Sequence, residues 1–175
     1  MSVVAGLVSG GKVWMASDSL ISEGKDIFET RLSPKTFAWD GFVFGVVGDA
    51  RAVDLIYAVF EPPEPTLADD YVYMVDQFVE ELRKMLEKRD ERKIDFTMLV
   101  GHNGVIYIVD TDYSVCVPTS PYFAIGGGSS FALASLAATS AVGKIKDPAK
   151  RVEKAVAIAC KRRADCGGRI IVTSN

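Results

Sequence analysis

The chain has 175 residues, a formal net charge of −3, 49% hydrophobic and 25% charged residues, one histidine and three cysteines. That length suits a single domain, 1–175, with a full hydrophobic core, and the composition excludes a disordered or collagen-like chain. The mildly acidic balance offers no basic footprint for nucleic acid. No apolar run approaches the ~18 residues of a membrane span, and no secretory leader opens the sequence. Three cysteines without paired spacing point to reduced thiols and a cytoplasmic setting. With one histidine, no metal or other cofactor is expected, and an enzyme built on this chain needs an unusual base.

In chain order, Ser2–Val8 and Lys12–Ser19 flank Gly10-Gly11 and read as a hairpin. A polar stretch, Ser22–Pro34, follows. Lys35–Trp39 and Phe42–Val47 then flank Asp40-Gly41, a strong hairpin signal. Ala52, Leu55, Ile56 and Val59 recur at helical spacing after Asp49, a candidate N-cap, and Pro62, Pro63 and Pro65 end that helix. Leu67–Lys88 predicts a second helix with Tyr71, Val75, Phe78, Leu82, Met85 and Leu86 on its core stripe. Phe96–Val100 and Val105–Val109 flank Asn103-Gly104 and form another hairpin. Ser114–Val117 and Tyr122–Ile125 are short strands. A mostly small, apolar helix at Ser129–Val142 is expected to be well buried; Pro148–Arg163 is the last helix and Gly168–Thr173 a closing strand. Blocks of strands and helices in this order favour antiparallel sheets with helices on their outer faces.

Gly126-Gly127-Gly128 before a helix suggests a phosphate loop, because helix N-termini gather unpaired N–H donors. Ser129-Ser130-Phe131 follows, however, which fits neither the Walker nor the dinucleotide pattern, so the run reads as a tight turn. His102, beside a turn, reads as exposed and inert. Cys116 and Cys160 read as small buried apolar residues, and Cys166 lacks a histidine partner for thiol catalysis. Ser2 is the informative residue. Removal of Met1 before so small a residue would leave Ser2 with a free α-amine beside its own hydroxyl. An α-amine has a pKa of about 7.7–8.0, so it can act as the base that takes the hydroxyl proton.

The residues around Ser2 resemble proteasome β-type subunits and the compact HslV-like peptidases, members of the N-terminal nucleophile (Ntn) hydrolases. The matching stretches run in order along the chain: Ser2–Gly6, Val13–Ser19, Lys35–Phe37, Gly45–Ala50, Ala124–Leu133 and Gly167–Val172. The resemblance implies an α+β, four-layer αββα sandwich of two antiparallel sheets between helix layers. It also implies a threonine/serine-type endopeptidase in which Ser2 is the nucleophile, Lys35 the active-site lysine, Asp18 its acidic partner and Gly48 the oxyanion donor. Ile21, Ser33, Val46 and Ala50 would line the substrate pocket and favour a hydrophobic side chain. Where the family has a serine, this chain has Gly127, and Ser129 is the nearby replacement. Alignment on Gly167-Gly168 sets Arg163 at the family's aspartate, with Asp165 displaced by two positions. Implied partners are further copies of the chain in a ring, an AAA+ ATPase unfoldase, and unfolded protein or peptide substrates. The alternative is a catalytically inactive structural or assembly subunit that retains Met1.

Overall fold

The computed structural model describes residues 2–23, 26–29, 34–89 and 94–175. Tight turns set its hairpins. Asp40-Gly41 and Asn103-Gly104 both have positive φ at each central residue, 43° and 80° in the first, 45° and 74° in the second. That backbone matches the twist of the flanking strands. Strands β1 (Val4–Ser9), β2 (Lys12–Ser17), β10 (Tyr122–Ile125) and β11 (Ile171–Ser174) form a sheet in the order β10-β1-β2-β11. A second sheet follows the order β5-β6-β7-β8-β9, from β5 (Thr36–Trp39), β6 (Phe42–Gly48), β7 (Phe96–His102), β8 (Val105–Asp110) and β9 (Val115–Cys116). Every pairing in both sheets is antiparallel.

Helices α4 (Ser129–Val142) and α5 (Pro148–Arg162) cover the first sheet through Val3, Ala5, Leu136, Val152 and Val156. Helices α1 (Ala50–Ala58), α2 (Asp70–Tyr73) and α3 (Val79–Glu87) cover the second through Phe44, Val46, Ile56, Phe78 and Leu82. Val4, Val13, Met15, Val43 and Leu99 fill the layer between the sheets. The result is the expected αββα sandwich. Its sheets approach closely at Gly45 and Gly101. A Cβ on Gly45 would lie 2.4 Å from Val4 Cγ1, and one on Gly101 would lie 2.6 Å from Val13 Cβ.

Several local expectations change. The polar stretch after Leu20 contains a further hairpin, β3 (Leu20–Glu23) with β4 (Asp26–Glu29). The Leu67–Lys88 helix is interrupted by a π-helical segment, Met74–Phe78, between α2 and α3. A wider π turn brings residues five apart onto one face, so Tyr73 with Phe78 and Met74 with Val79 all point inward. The same phase shift turns Tyr71 and Val75, placed on the core stripe by simple periodicity, outward to 48% and 44% exposure. Helix α4 is not well buried: only Ala132, Ser135 and Leu136 are buried, with Leu133 half-buried, because α5 and the edge of the first sheet cover one side of it. The closing strand starts three residues later than expected, because Gly168 at φ +74° and Arg169 belong to a loop. His102 is buried and stacked on Phe42 at 4.1 Å between ring centroids, since the last residue of β7 faces the helix layer. Cys116, on the short edge strand β9, is exposed rather than buried.

Candidate active site

Ser2 leads directly into β1, which lies between β10 and β2, so its backbone is held from several directions. Gly128 N–H donates to Ser2 O at 3.4 Å. Gly126, at φ +88°, brings its backbone so close that a Cβ there would sit 2.3 Å from Ser2 O. The glycine turn is therefore needed for close approach to Ser2 and for its backbone angles.

On the other side, Asp18 follows β2 and is completely buried. Its Oδ1 accepts from Val3 N–H at 3.0 Å and from Lys35 Nζ at 2.8 Å, and its Oδ2 accepts from Gly167 N–H at 3.1 Å. Asp18 N–H in turn donates to Val3 O at 3.3 Å. Lys35, just before β5 and 5% exposed, also donates to Leu20 O at 2.6 Å. A buried ion pair is costly to desolvate unless further hydrogen bonds complete both groups, and here they do. A buried hydroxyl pair, Ser17 Oγ and Thr36 Oγ1 at 3.0 Å, ties the strands that carry the two charges. Nearby, burial and the Asp18 charge push the Cys160 thiol up to about 11 and the Cys166 thiol up to about 12. Both stay protonated at neutral pH.

A cleft of about 390 Å³ opens beside this network. Ser2, Lys35, Gly48, Gly126 and Gly127 line one part of it. Ile21, Ala50 and Val53 give it apolar wall, and Asp54, Asp95 and Thr97 give it polar wall. Gly48 has φ +124°, and a Cβ there would lie 2.3 Å from Asp95 O, so only glycine fits this edge of the cleft. Asp49 closes the same corner, donating its N–H to Asp95 O at 2.8 Å and accepting from Asp95 N–H at 2.9 Å. The Asp49 carboxylate thus fastens the Asp95 backbone instead of capping α1, the role its position suggested.

Solved structures carry the same architecture. BPH from Thiobacillus denitrificans, in complex with epoxomicin, superposes with a TM-score of 0.78 at 16% identity, covering 99% of this chain and 97% of that one. HslV from Trypanosoma brucei gives 0.70 at 18% identity over 98% of both chains. Anbu from Yersinia bercovieri gives 0.70 at 16%, covering 98% of this chain and 80% of its own. The chain has the HslV/proteasome-like fold. No protein-family model and no curated protein sequence matches it.

Within that fold, five of the anticipated residues, Ser2, Lys35, Gly48, Ile21 and Ala50, meet at one cleft, with Asp18 buried against Lys35. Val46 does not reach it. Strand alternation turns Val46, fully buried, into the helix-side core, and its neighbour Val47 lines the cleft instead. Ser33 lies outside the described residues, as does Met1. Ser129 opens α4 and donates its N–H to Gly126 O at 3.0 Å; it is not among the residues lining the cleft. Nor is Asp165, which Arg163 grips through two hydrogen bonds of 2.9 and 2.6 Å. Those bonds hold the Asp165 carboxyl below its ordinary range. Sequence reasoning missed Asp54 and Asp95. Asp54 is readable in hindsight, one helical turn after Ala50 and so on the same face of α1. Asp95 enters from β7's approach and has no local signal.

Proposed function

We propose that this single-domain chain is an N-terminal-serine peptidase subunit, acting in the cytoplasm after removal of Met1. The supporting observation is the convergence of Ser2, Lys35 and Gly48 on one cleft, with Lys35 anchored by buried Asp18. The freed Ser2 α-amine takes the hydroxyl proton while Oγ attacks the peptide carbonyl. A nearby ammonium disfavours protonation of that amine and steadies the developing negative charge. The oxyanion points at the Gly48 amide; a donor in that role is worth about 2.7–4 kcal/mol. The amine then passes its proton to the leaving nitrogen, and water hydrolyses the resulting ester to regenerate Ser2.

The cleft suits a hydrophobic side chain before the cleaved bond, because Ile21, Ala50 and Val53 offer apolar contact. The architecture shared with HslV and Anbu supports self-association into rings and delivery of unfolded protein by an AAA+ ATPase. A second reading, an inactive assembly subunit that keeps Met1, is favoured by Gly127 at the family's serine position and by the engagement of Asp165 with Arg163. One experiment separates the two. Intact mass should show loss of Met1, and Ser2→Ala should lower hydrolysis of a fluorogenic peptide panel by on the order of 10⁴-fold or more, with loss of epoxomicin binding. Retained Met1 with no hydrolysis in either protein would leave the assembly reading, and equal hydrolysis in Ser2→Ala would discard Ser2 as the nucleophile.

A further inference from the structure

Asp18 is held partly by Gly167 N–H, which belongs to the loop joining α5 to β11. Something must fix that loop, because a backbone donor is only as well placed as its chain. Gly167 O accepts from both Ser19 N–H and Leu20 N–H at 3.2 Å. Beyond it, one carboxylate oxygen gathers the two segments that flank Asp18. Glu29 Oε1, on β4, accepts from Ser19 Oγ at 2.9 Å and from Arg169 N–H at 2.7 Å. Ser19 follows Asp18 in sequence, and Arg169 lies two residues past Gly167. Gly168 between them has φ +74°, and a Cβ there would lie 2.3 Å from Glu29 Oε1 and 2.5 Å from Ser19 Oγ. The glycine is what lets the loop close on the carboxylate.

We infer that Glu29 is a positioning residue that staples the Ser19 and Gly167–Arg169 segments together and so keeps Asp18 and Lys35 in register with Ser2. It is not among the residues lining the cleft and touches no reacting atom. Hydrogen bonds to a carboxylate are shorter and stronger than neutral ones, so one charged acceptor with two donors makes an effective clamp. Without it, the Gly167 amide drifts from Asp18, and Lys35 loses the carboxylate geometry that holds its ammonium at the cleft shared with Ser2. This inference rests on the peptidase reading for its effect on rate, but the clamp itself is measurable without turnover.

The test compares wild type, Glu29→Gln, which keeps one oxygen acceptor, and Glu29→Ala, which keeps none. In Glu29→Ala, kcat should fall about 10–100-fold with KM nearly unchanged, the scale of a small misplacement of a catalytic group. The acid limb of its pH–rate profile should move to higher pH, because a less well-placed cation disfavours protonation of the amine less. Glu29→Gln should recover most of the rate. Hydrogen exchange at the Gly167 amide, read by NMR, should accelerate in Glu29→Ala and stay near wild type in Glu29→Gln. An unchanged pH limb and kcat in Glu29→Ala, equal impairment in both variants, or unaltered Gly167 exchange would overturn the inference. If Ser2→Ala shows instead that the chain is no peptidase, the exchange measurement alone decides the clamp. Should Glu29→Ala fail to fold, Ser19→Ala removes one donor, and normal Gly167 exchange there would overturn it equally.

Discussion

Lys35 and His102 are both basic side chains at or below 7% exposure, yet the chain treats them in opposite ways. Lys35 is buried as a charge, with Asp18 at 2.8 Å and Leu20 O at 2.6 Å, and Asp18 is itself completed by two backbone amides. His102 is buried against an aromatic face, with the nearest carboxylate, Asp70, at 3.8 Å and itself partly exposed. Burial lowers the His102 pKa against the opposing pull of Asp70. The first arrangement holds a charge beside a cleft where a reaction can use it; the second holds a neutral ring as part of a core. Burial alone therefore does not mark a functional group. What marks it is whether the surroundings complete the charge or suppress it.

Breaking the first arrangement should have the largest effect. Lys35→Met leaves Asp18 charged and buried without its cation, which costs about 3–5 kcal/mol. In a chain of this size that lowers Tm by roughly 6–20 °C in a calorimetric scan. Peptide hydrolysis should fall about 10²–10⁴-fold, the range for loss of assistance to proton transfer. A variant with normal Tm and normal rate would remove Lys35 from the site altogether.

The second arrangement predicts a pH effect of opposite location. Because the folded-state pKa of His102 is depressed, the unfolded chain binds the extra proton first as pH falls. Its stabilising contribution is therefore present above about pH 6.5, the ordinary histidine value, and is lost as pH drops below it. Urea midpoints at pH 7.5 and 5.0 should diverge in wild type and converge in His102→Phe. Hydrolysis at pH 7.5 should stay within about twofold in that variant, since distant sites act independently. His102 stands at the opposite end of β7 from Phe96, about 20 Å away at ~3.3 Å per residue.

The smallest effect concerns the thiols beside the ion pair. With Cys160 raised to about 11 and Cys166 to about 12, alkylation of the native protein at pH 8 should modify exposed Cys116 alone. Peptide mass mapping reads this directly, and labelling of either of the other two would contradict their shielding. The linkage sign is the reverse of that for His102. The raised thiol pKa values stabilise the fold below about pH 8.5, and that contribution declines as pH rises toward the folded values.

The hairpins were legible because their turns carry explicit chemistry: Asp40-Gly41 and Asn103-Gly104 need positive φ, and few other pairs supply it. Ser2, Lys35 and Gly48 were legible through resemblance, and the geometry brings them to one cleft. What stayed hidden depends on phase and on long-range meetings. The π segment at Met74–Phe78 shifts a helix face without any glycine or proline to announce it. Val46 and Val47 are chemically alike, and only the pleat decides which faces the cleft. Glu29 meets Arg169 across 140 positions of chain, a contact no local pattern encodes.

Gly45 sits in mid-strand with no turn to make, the sort of position where an engineer seeking thermostability would install alanine. In most strands that exchange is a gain, because glycine is floppy and packs nothing. Here the missing methyl is the clearance that Val4 occupies, 2.4 Å from where the new carbon would go. Val4 is two residues from Ser2, so the added atom would be transmitted along β1 as a displacement of Ser2 at the cleft. A well-meant stabilising edit in the second sheet would thus be felt at the cleft edge of the first.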